Sequence, residues 1–202
     1  MPSELYDVII IGAGPAGSYA AYKLASLGHR VAVLEQKEAP GIDICCTGII
    51  SPECFDSFGI ASNVVLTKAN SAKFFSPSGK WMRLETEKVQ AYVVERASFD
   101  QAIAVKAKAQ GANYLFSSWV TSVGIKRDWA QIEALCHGSR EIFKARAVIV
   151  ASGFKPKLCQ KLGLGRIANF AIGAQAEVET QGIDEVEIYL SQEIAPGFFA
   201  WL

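Results

Sequence analysis

The chain has little of what several common functions demand. Its two histidines stand apart, His29 ahead of a strand pattern and His137 in an apparent hairpin, so neither offers a metal-binding or general-base pair. Lysine plus arginine equals aspartate plus glutamate, 20 against 20, and a net charge of zero leaves no electrostatic footprint for nucleic acid or an anionic surface. No apolar run approaches the roughly 18 residues of a membrane span, and no charged start followed by an apolar core marks a secretory signal. The five cysteines, Cys45, Cys46, Cys54, Cys136 and Cys159, form an odd set without zinc-type spacing or a disulfide framework. Reduced thiols, no bound metal and a cytoplasmic location are therefore expected. Nothing repeats internally, and nothing points to a particular oligomeric state.

Half of the 202 residues are hydrophobic, enough for one large domain or two interleaved ones. The most informative stretch comes first. Tyr6 to Ile11 reads YDVIII, the β-branched run of a strand buried on both faces. It enters Gly12-Ala13-Gly14-Pro15-Ala16-Gly17, then an alanine-rich helix closing at Gly28, then a second strand that ends at Glu35. In this order, Gly12 permits a tight turn, Gly14 lets backbone approach a pyrophosphate, and Gly17 lets helix and strand pack closely. The helix start offers N–H groups and a positive dipole end to phosphates. Glu35, 18 residues beyond Gly17, can accept hydrogen bonds from ribose hydroxyls and disfavours a 2′-phosphate. Glycine turns also arise for purely structural reasons, but strand, helix and acid stand here in register, so a bound dinucleotide is expected.

Spacing alone does not separate FAD from NAD; the continuation does. After Glu35 the chain leaves regular βα alternation for antiparallel signals: AKFFSP and KWMRLE as a hairpin around Ser76 to Gly79, and VQAYVVE as a further strand. RASFDQAIAVKAKAQGA fits an amphipathic helix, and NYLF returns to the parallel sheet. VTSVGIKR, AQIEALCH and REIFKA read as a three-stranded meander leading to a separate buried strand, RAVIVASG. Its end, Ala151-Ser152-Gly153, would again let backbone approach a cofactor. An interrupted sheet of this kind favours a flavoprotein.

Three segments, YDVIIIGAGPAGSYAAYKLASLGHRVAVLEQ, ERASFD and VIVASG, resemble the FAD-dependent superfamily that includes para-hydroxybenzoate hydroxylase. Two more narrow the likeness to the geranylgeranyl reductase family: Cys45-Cys46-Thr47-Gly48-Ile49-Ile50-Ser51, and Pro196-Gly197-Phe198-Phe199-Ala200-Trp201-Leu202, which resembles the first part of a P-x-x-Y-x-W-x-F-P signature with Phe199 in place of the tyrosine. The resemblance implies an α/β fold: a Rossmann-like FAD-binding domain of the para-hydroxybenzoate hydroxylase type with a β-meander, and an interleaved, partial antiparallel-sheet substrate domain. The expected bounds are 1–67 plus 95–165 for the FAD domain and 68–94 plus 166–202 for the substrate domain. A chain shortened at its C-terminus relative to the family is also expected.

Cofactor contacts are expected at Gly12, Gly14, Pro15, Ala16, Gly17, Glu35, Gln36, Ala151 and Gly153. Arg96 joins them through R-x-x-F-D, whose arginine lies near the flavin linker in the superfamily; the alternative is a helix-terminal arginine on a solvated face. Cys46 corresponds to a cysteine that in geranylgeranyl reductases faces the flavin ring and substrate, where it could assist proton delivery. Neighbouring Cys45 and a plain packing role remain alternatives. Phe199 and Trp201 are the candidates for an isoprenoid-lining wall. The implied activity is saturation of prenyl C=C bonds in a lipid or chlorophyll precursor, with NADPH or ferredoxin as electron donor and peripheral membrane contact allowed by a lipid substrate. A flavin monooxygenase and a catalytically silent nucleotide-binding fragment are the competing readings.

Overall fold

The computed structural model describes residues 5–154 and 156–202. In chain order its elements begin with β1 (Leu5–Ile11), α1 (Pro15–Ser26), β2 (Val31–Leu34), β3 (Ile49–Ile50), α2 (Pro52–Phe58), a 3-10 turn (Ser62–Val64), β4 (Val65–Ala69) and β5 (Ser71–Phe75). They continue with β6 (Trp81–Glu85), β7 (Ala91–Val94), α3 (Arg96–Ala109), β8 (Asn113–Leu115), β9 (Ser118–Ile125), β10 (Ala130–Cys136) and β11 (Ser139–Val150). The last are α4 (Pro156–Lys161), β12 (Val186–Tyr189) and β13 (Ala200–Trp201). Two compact units result, one from residues 1–44 and 96–167, the other from 45–95 and 168–202.

The first unit is built on a six-stranded sheet in the order β8-β2-β1-β11-β10-β9. The four strands β8, β2, β1 and β11 run parallel, whereas β10 and β9 are antiparallel. Alternation along β1 and β2 sends side chains to two different cores, which is why their sequences are apolar throughout. Val8, Ile10, Val31 and Val33 pack with Ala21, Ala25 and Ala107 of the helices. Ile9, Ile11, Ala32 and Leu34 pack with Val120, Ile132 and Ala134 of the meander strands. Ala21 is fully buried, and its small size lets α1 lie close on the strands.

One expectation is corrected here. REIFKA and RAVIVASG are not two strands but the single strand β11, antiparallel to β10 at Ser139–Ala145 and parallel to β1 at Lys144–Val150. No glycine or proline interrupts residues 139–150, so the chain has no punctuation at which to turn.

The second unit holds a four-stranded sheet, β13-β12-β5-β6, and a three-stranded sheet, β3-β7-β4. The hairpin around Ser76 to Gly79 is β5–β6, closed by Ser76 N–H donating to Lys80 O at 2.8 Å. The sheet is not wholly antiparallel, because β12, supplied from far along the chain, runs parallel to β5. Residues 45–67, grouped on sequence grounds with the nucleotide domain, belong to this unit. Their strands β3 and β4 both find their backbone partners in β7.

Candidate functional site

Three segments converge at the carboxyl end of β1. Gly12 N–H donates to Leu34 O at 2.9 Å and Ala151 N–H donates to Ile11 O at 2.8 Å, tying the glycine loop to β2 and to the end of β11. The expected contributors Gly12, Gly14, Gly17, Glu35 and Ala151 are thereby brought together. Pro15 stands at the first turn of α1, whose N-cap is Gly14 and has no side-chain cap. The N–H groups and positive end of that helix therefore face the loop's surroundings unscreened by a side chain.

The three glycines of the loop have different reasons to be glycine. Gly12 has φ +107°, and a Cβ there would overlap the Ala151 carbonyl. A Cβ on Gly17 would overlap the Gly12 carbonyl oxygen. These two residues are required by the fold itself. Gly14 is unlike them: its φ of −69° suits any residue, and a Cβ there would meet nothing within 4 Å. The protein leaves that space open without needing to, as a pyrophosphate lying against the backbone requires.

Glu35 follows directly on β2. Its Oε2 accepts from Ala13 N–H at 2.7 Å and its Oε1 from Lys37 N–H at 3.0 Å, so the carboxylate organises the loop and still has lone pairs for ribose hydroxyls. Gln36 beside it is exposed. At the third segment, Gly153 has φ +62° with open space around it. Ser152, which sequence reasoning passed over, places its hydroxyl in the interior with no hydrogen-bond partner among the described residues. A buried orphan hydroxyl costs about 1–3 kcal/mol, and this one adjoins the glycine loop, where the Ser152 Cα lies 3.2 Å from the position of a Gly12 Cβ. An open cradle, an uncapped helix start, an acid at the strand tip and an orphan hydroxyl all suit a dinucleotide cofactor.

Arg96 is the first residue of α3, and its guanidinium is not on a solvated face. It donates to Asp100 Oδ1 at 3.0 Å, with the two side chains 18% and 5% exposed. The adjoining Ala97 lies against Gly41, where a Cβ would come within 2.7 Å of the Ala97 Cα, so the loop after β2 sits close on this helix start.

The second unit carries a half-open apolar pocket of about 580 Å³. Phe199 and Trp201 both line it, joined by Phe74, Leu84, Ile188 and Phe198. Trp201 pairs with Ile188 across β13–β12 and packs edge-on to Phe199 at 5.7 Å between ring centroids. The aliphatic wall was not foreseen, though strand alternation on β5 and β12 carries its signal. Ala72 with Phe74, and Val186 with Ile188, are same-face pairs that fall opposite each other in register. Phe75, Trp81 and Tyr92 lie outside the lining. Cys46 is exposed and also outside it, but its neighbour Thr47 is a lining residue. Cys45 is exposed too, and the Cys46 carbonyl accepts from Gln175 Nε2 at 3.4 Å. Among the described residues no group of three or more His, Cys, Asp or Glu could hold a metal ion, and no helix is long and apolar enough to cross a membrane.

A strand, glycine turn, helix and terminal acid beneath a parallel sheet with an antiparallel meander define a dinucleotide-binding α/β unit of the flavoprotein type. Residues 6–188 match the family described as pyridine nucleotide-disulphide oxidoreductase, and the chain belongs to that family. FAD is the cofactor that this family and fold imply.

Among relatives, the chain is 30% identical to digeranylgeranylglycerophospholipid reductase of Methanocaldococcus jannaschii, over 99% of this chain and 53% of that protein. It is 27% identical to geranylgeranyl diphosphate reductase of Rhodobacter capsulatus, over 98% and 51%. Among solved structures, a geranylgeranyl bacteriochlorophyll reductase-like protein of Thermoplasma acidophilum superposes with a TM-score of 0.79 at 25% identity, covering 98% of this chain and 53% of that one. Para-nitrophenol 4-monooxygenase of Pseudomonas putida, at 17% identity and a TM-score of 0.69, shares the fold over 79% of this chain and 44% of its own. The chain spans about half the length of the curated relatives it matches.

Proposed function

We propose that the protein is an FAD-dependent reductase that saturates C=C bonds of a prenyl chain, with residues 1–44 and 96–167 holding the cofactor and residues 45–95 and 168–202 receiving the substrate. The observation that carries this reading is the aromatic and aliphatic cavity of about 580 Å³ in a chain that also holds the open Gly14 cradle. A volume of that size falls within the range of sites for ligands of drug or lipid size, and its lining is suited to a hydrocarbon chain. The names of the relatives point the same way.

When bound and reduced, FAD would supply the hydride, and a proton would be needed to complete the addition across the double bond. The chain's own residues do the rest. Gly14, Ala16 and Gly17 present backbone N–H groups to the pyrophosphate, Gly12 shapes the turn and Pro15, which has no N–H, starts the helix, and Glu35, with Gln36 beside it, accepts from ribose hydroxyls. Arg96 holds fixed donors toward the ribityl region, and Ala151 and Gly153 give backbone access. Phe199 and Trp201 exclude water and orient the chain. Cys46, beside the cavity residue Thr47, is the candidate for holding the proton on its Sγ. Electrons arrive from NADPH or a ferredoxin-type donor, and an apolar substrate brings the protein to a membrane surface in passing.

The test is direct. The protein, reconstituted with FAD and reduced with dithionite under nitrogen, is incubated with a geranylgeranyl lipid, and products are read by mass. A gain of one H2 per double bond supports the reading. A flavin-loaded protein that leaves the lipid unchanged refutes it, and oxygen-dependent hydroxylation would replace it with a monooxygenase.

A further inference from the structure

One edge of the second unit's four-stranded sheet is bare. Among the described residues β6 pairs with β5 alone. Every residue of β6 is exposed, including the large apolar side chains of Trp81 (60%), Met82 (56%) and Leu84 (50%). No proline interrupts the strand, and its register with β5 is unbroken. Ser76 N–H donates to Lys80 O at 2.8 Å and Thr86 N–H to Asn70 O at 2.9 Å, which fixes the backbone groups that β5 takes. Alternation along an antiparallel ladder then turns the N–H and C=O groups of Trp81, Arg83 and Glu85 outward. Such an edge is a template for another strand.

The strand that fits it is β6 itself. A two-fold axis perpendicular to the sheet sets two copies of β6 antiparallel and keeps like faces together, so the pairing must centre on one residue. Centred on Leu84, it brings the outward backbone groups of Arg83 onto those of Glu85 in the second copy, and the reverse across the axis. Opposite charges then face each other on both sides of the axis. On the other face Leu84 meets its counterpart and Met82 meets Thr86. Centring on Arg83 would oppose like charges, and centring on Met82 would set Glu85 against the turn residue Gly79. Arg83 already donates to Glu185 at 2.9 Å and pairs with Glu85, so both charges are held on one face of the strand before any partner arrives.

We infer that the protein forms a two-fold dimer by pairing β6 with β6 of a second copy, in the register centred on Leu84. Leu84 and Thr86 line the half-open pocket, and Leu84 and Met82 of the second copy continue that apolar lining past the strand edge. The inference goes beyond the prenyl-reductase reading and does not depend on it.

Sedimentation equilibrium across a concentration series tests this, with twice the chain's mass expected for the parent. Glu85→Arg and Arg83→Glu each set like charges opposite one another on both sides of the axis, and each should weaken self-association by about five-fold or more. Mixed in equal amounts, the two variants restore opposite charges at every such position and should associate as the parent does. Leu84→Lys places two ammonium groups at the axis and leaves the bond from Arg83 to Glu185 intact, so it should also dissociate the dimer; far-UV circular dichroism checks that each variant is folded. A parent that stays monomeric, folded variants that associate like the parent, or a mixture no tighter than either variant alone overturns the inference.

Discussion

Replacing one loop glycine at a time separates what the fold needs from what the cofactor needs. At Gly14, φ is −69° and an added methyl meets nothing within 4 Å, so Gly14→Ala costs only N-cap quality, about 0.5–1 kcal/mol. The loss of unfolded-chain freedom returns a similar amount, about 0.4–1 kcal/mol. The net change is within about 0.5 kcal/mol, a shift of about 1–2 °C in melting temperature for a chain of this length. FAD should respond differently, since the methyl occupies the space of the pyrophosphate. Loss of one charge-assisted hydrogen bond, about 1.5–3 kcal/mol, predicts a Kd about 10–150-fold weaker. At Gly12, the left-handed φ of +107° costs a side chain about 1–2 kcal/mol, and overlap with the Ala151 carbonyl adds about 1–3 kcal/mol, so Gly12→Ala should melt at least several degrees lower before any cofactor is added. Thermal unfolding of the cofactor-free proteins and flavin-absorbance titration read the two effects. If Gly14→Ala binds FAD like the parent, or melts as early as Gly12→Ala, the open space at Gly14 has nothing to do with a ligand.

Ser152→Ala removes a buried hydroxyl that lacks a protein partner, so the cofactor-free protein should hold or gain stability, while FAD binding weakens by about five-fold if the hydroxyl serves the cofactor; unchanged FAD affinity would count against that role. Glu185 is held below the ordinary glutamate value of 4.5, first by a hydrogen bond with Ser71 and then by Arg83 and Lys73. A depressed folded pKa means stability that is present above 4.5 and lost as pH falls through the folded value. Acid unfolding of the second unit should therefore be steeper below pH 4.5 in the parent than in Glu185→Gln, and identical acid profiles would refute the assignment. Phe199→Ala should weaken prenyl binding by about 5–30-fold, the worth of part of a buried ring, with the flavin titration unchanged; an unaltered prenyl affinity would show that the ring is not a wall of the site.

The nucleotide unit was legible because its signals are local. β1, the glycine loop, α1, β2 and Glu35 lie within residues 5–35, and each step is dictated by residue type at short range. The second unit was less legible because its pairings are not local. Ile49, Phe74 and Ile188 line one cavity from points far apart in the chain, and nothing in the β-branched residues of VEIY at β12 announces a parallel partner in β5. Residues 45–67 cluster with the second unit rather than with the expected one for the same reason, since their strands β3 and β4 pair with the distant β7.

Within the legible part, spacing still conceals a difference in kind. Gly12, Gly14 and Gly17 look alike as letters, and the fingerprint assigns all three to one purpose. The backbone divides them, with Gly12 and Gly17 held by carbonyls of the protein's own chain and Gly14 by nothing within it. Gly14 is a glycine that the fold does not require, and its place at the uncapped start of α1 is what makes its open space suit a ligand. Ser152 makes the same argument from polarity, because a hydroxyl enclosed without a partner is a cost that the protein alone does not recover. The two lie on different segments, the start of α1 and the end of β11, and both border the glycine loop. Their coincidence there supports the proposed cofactor position independently of the fingerprint spacing.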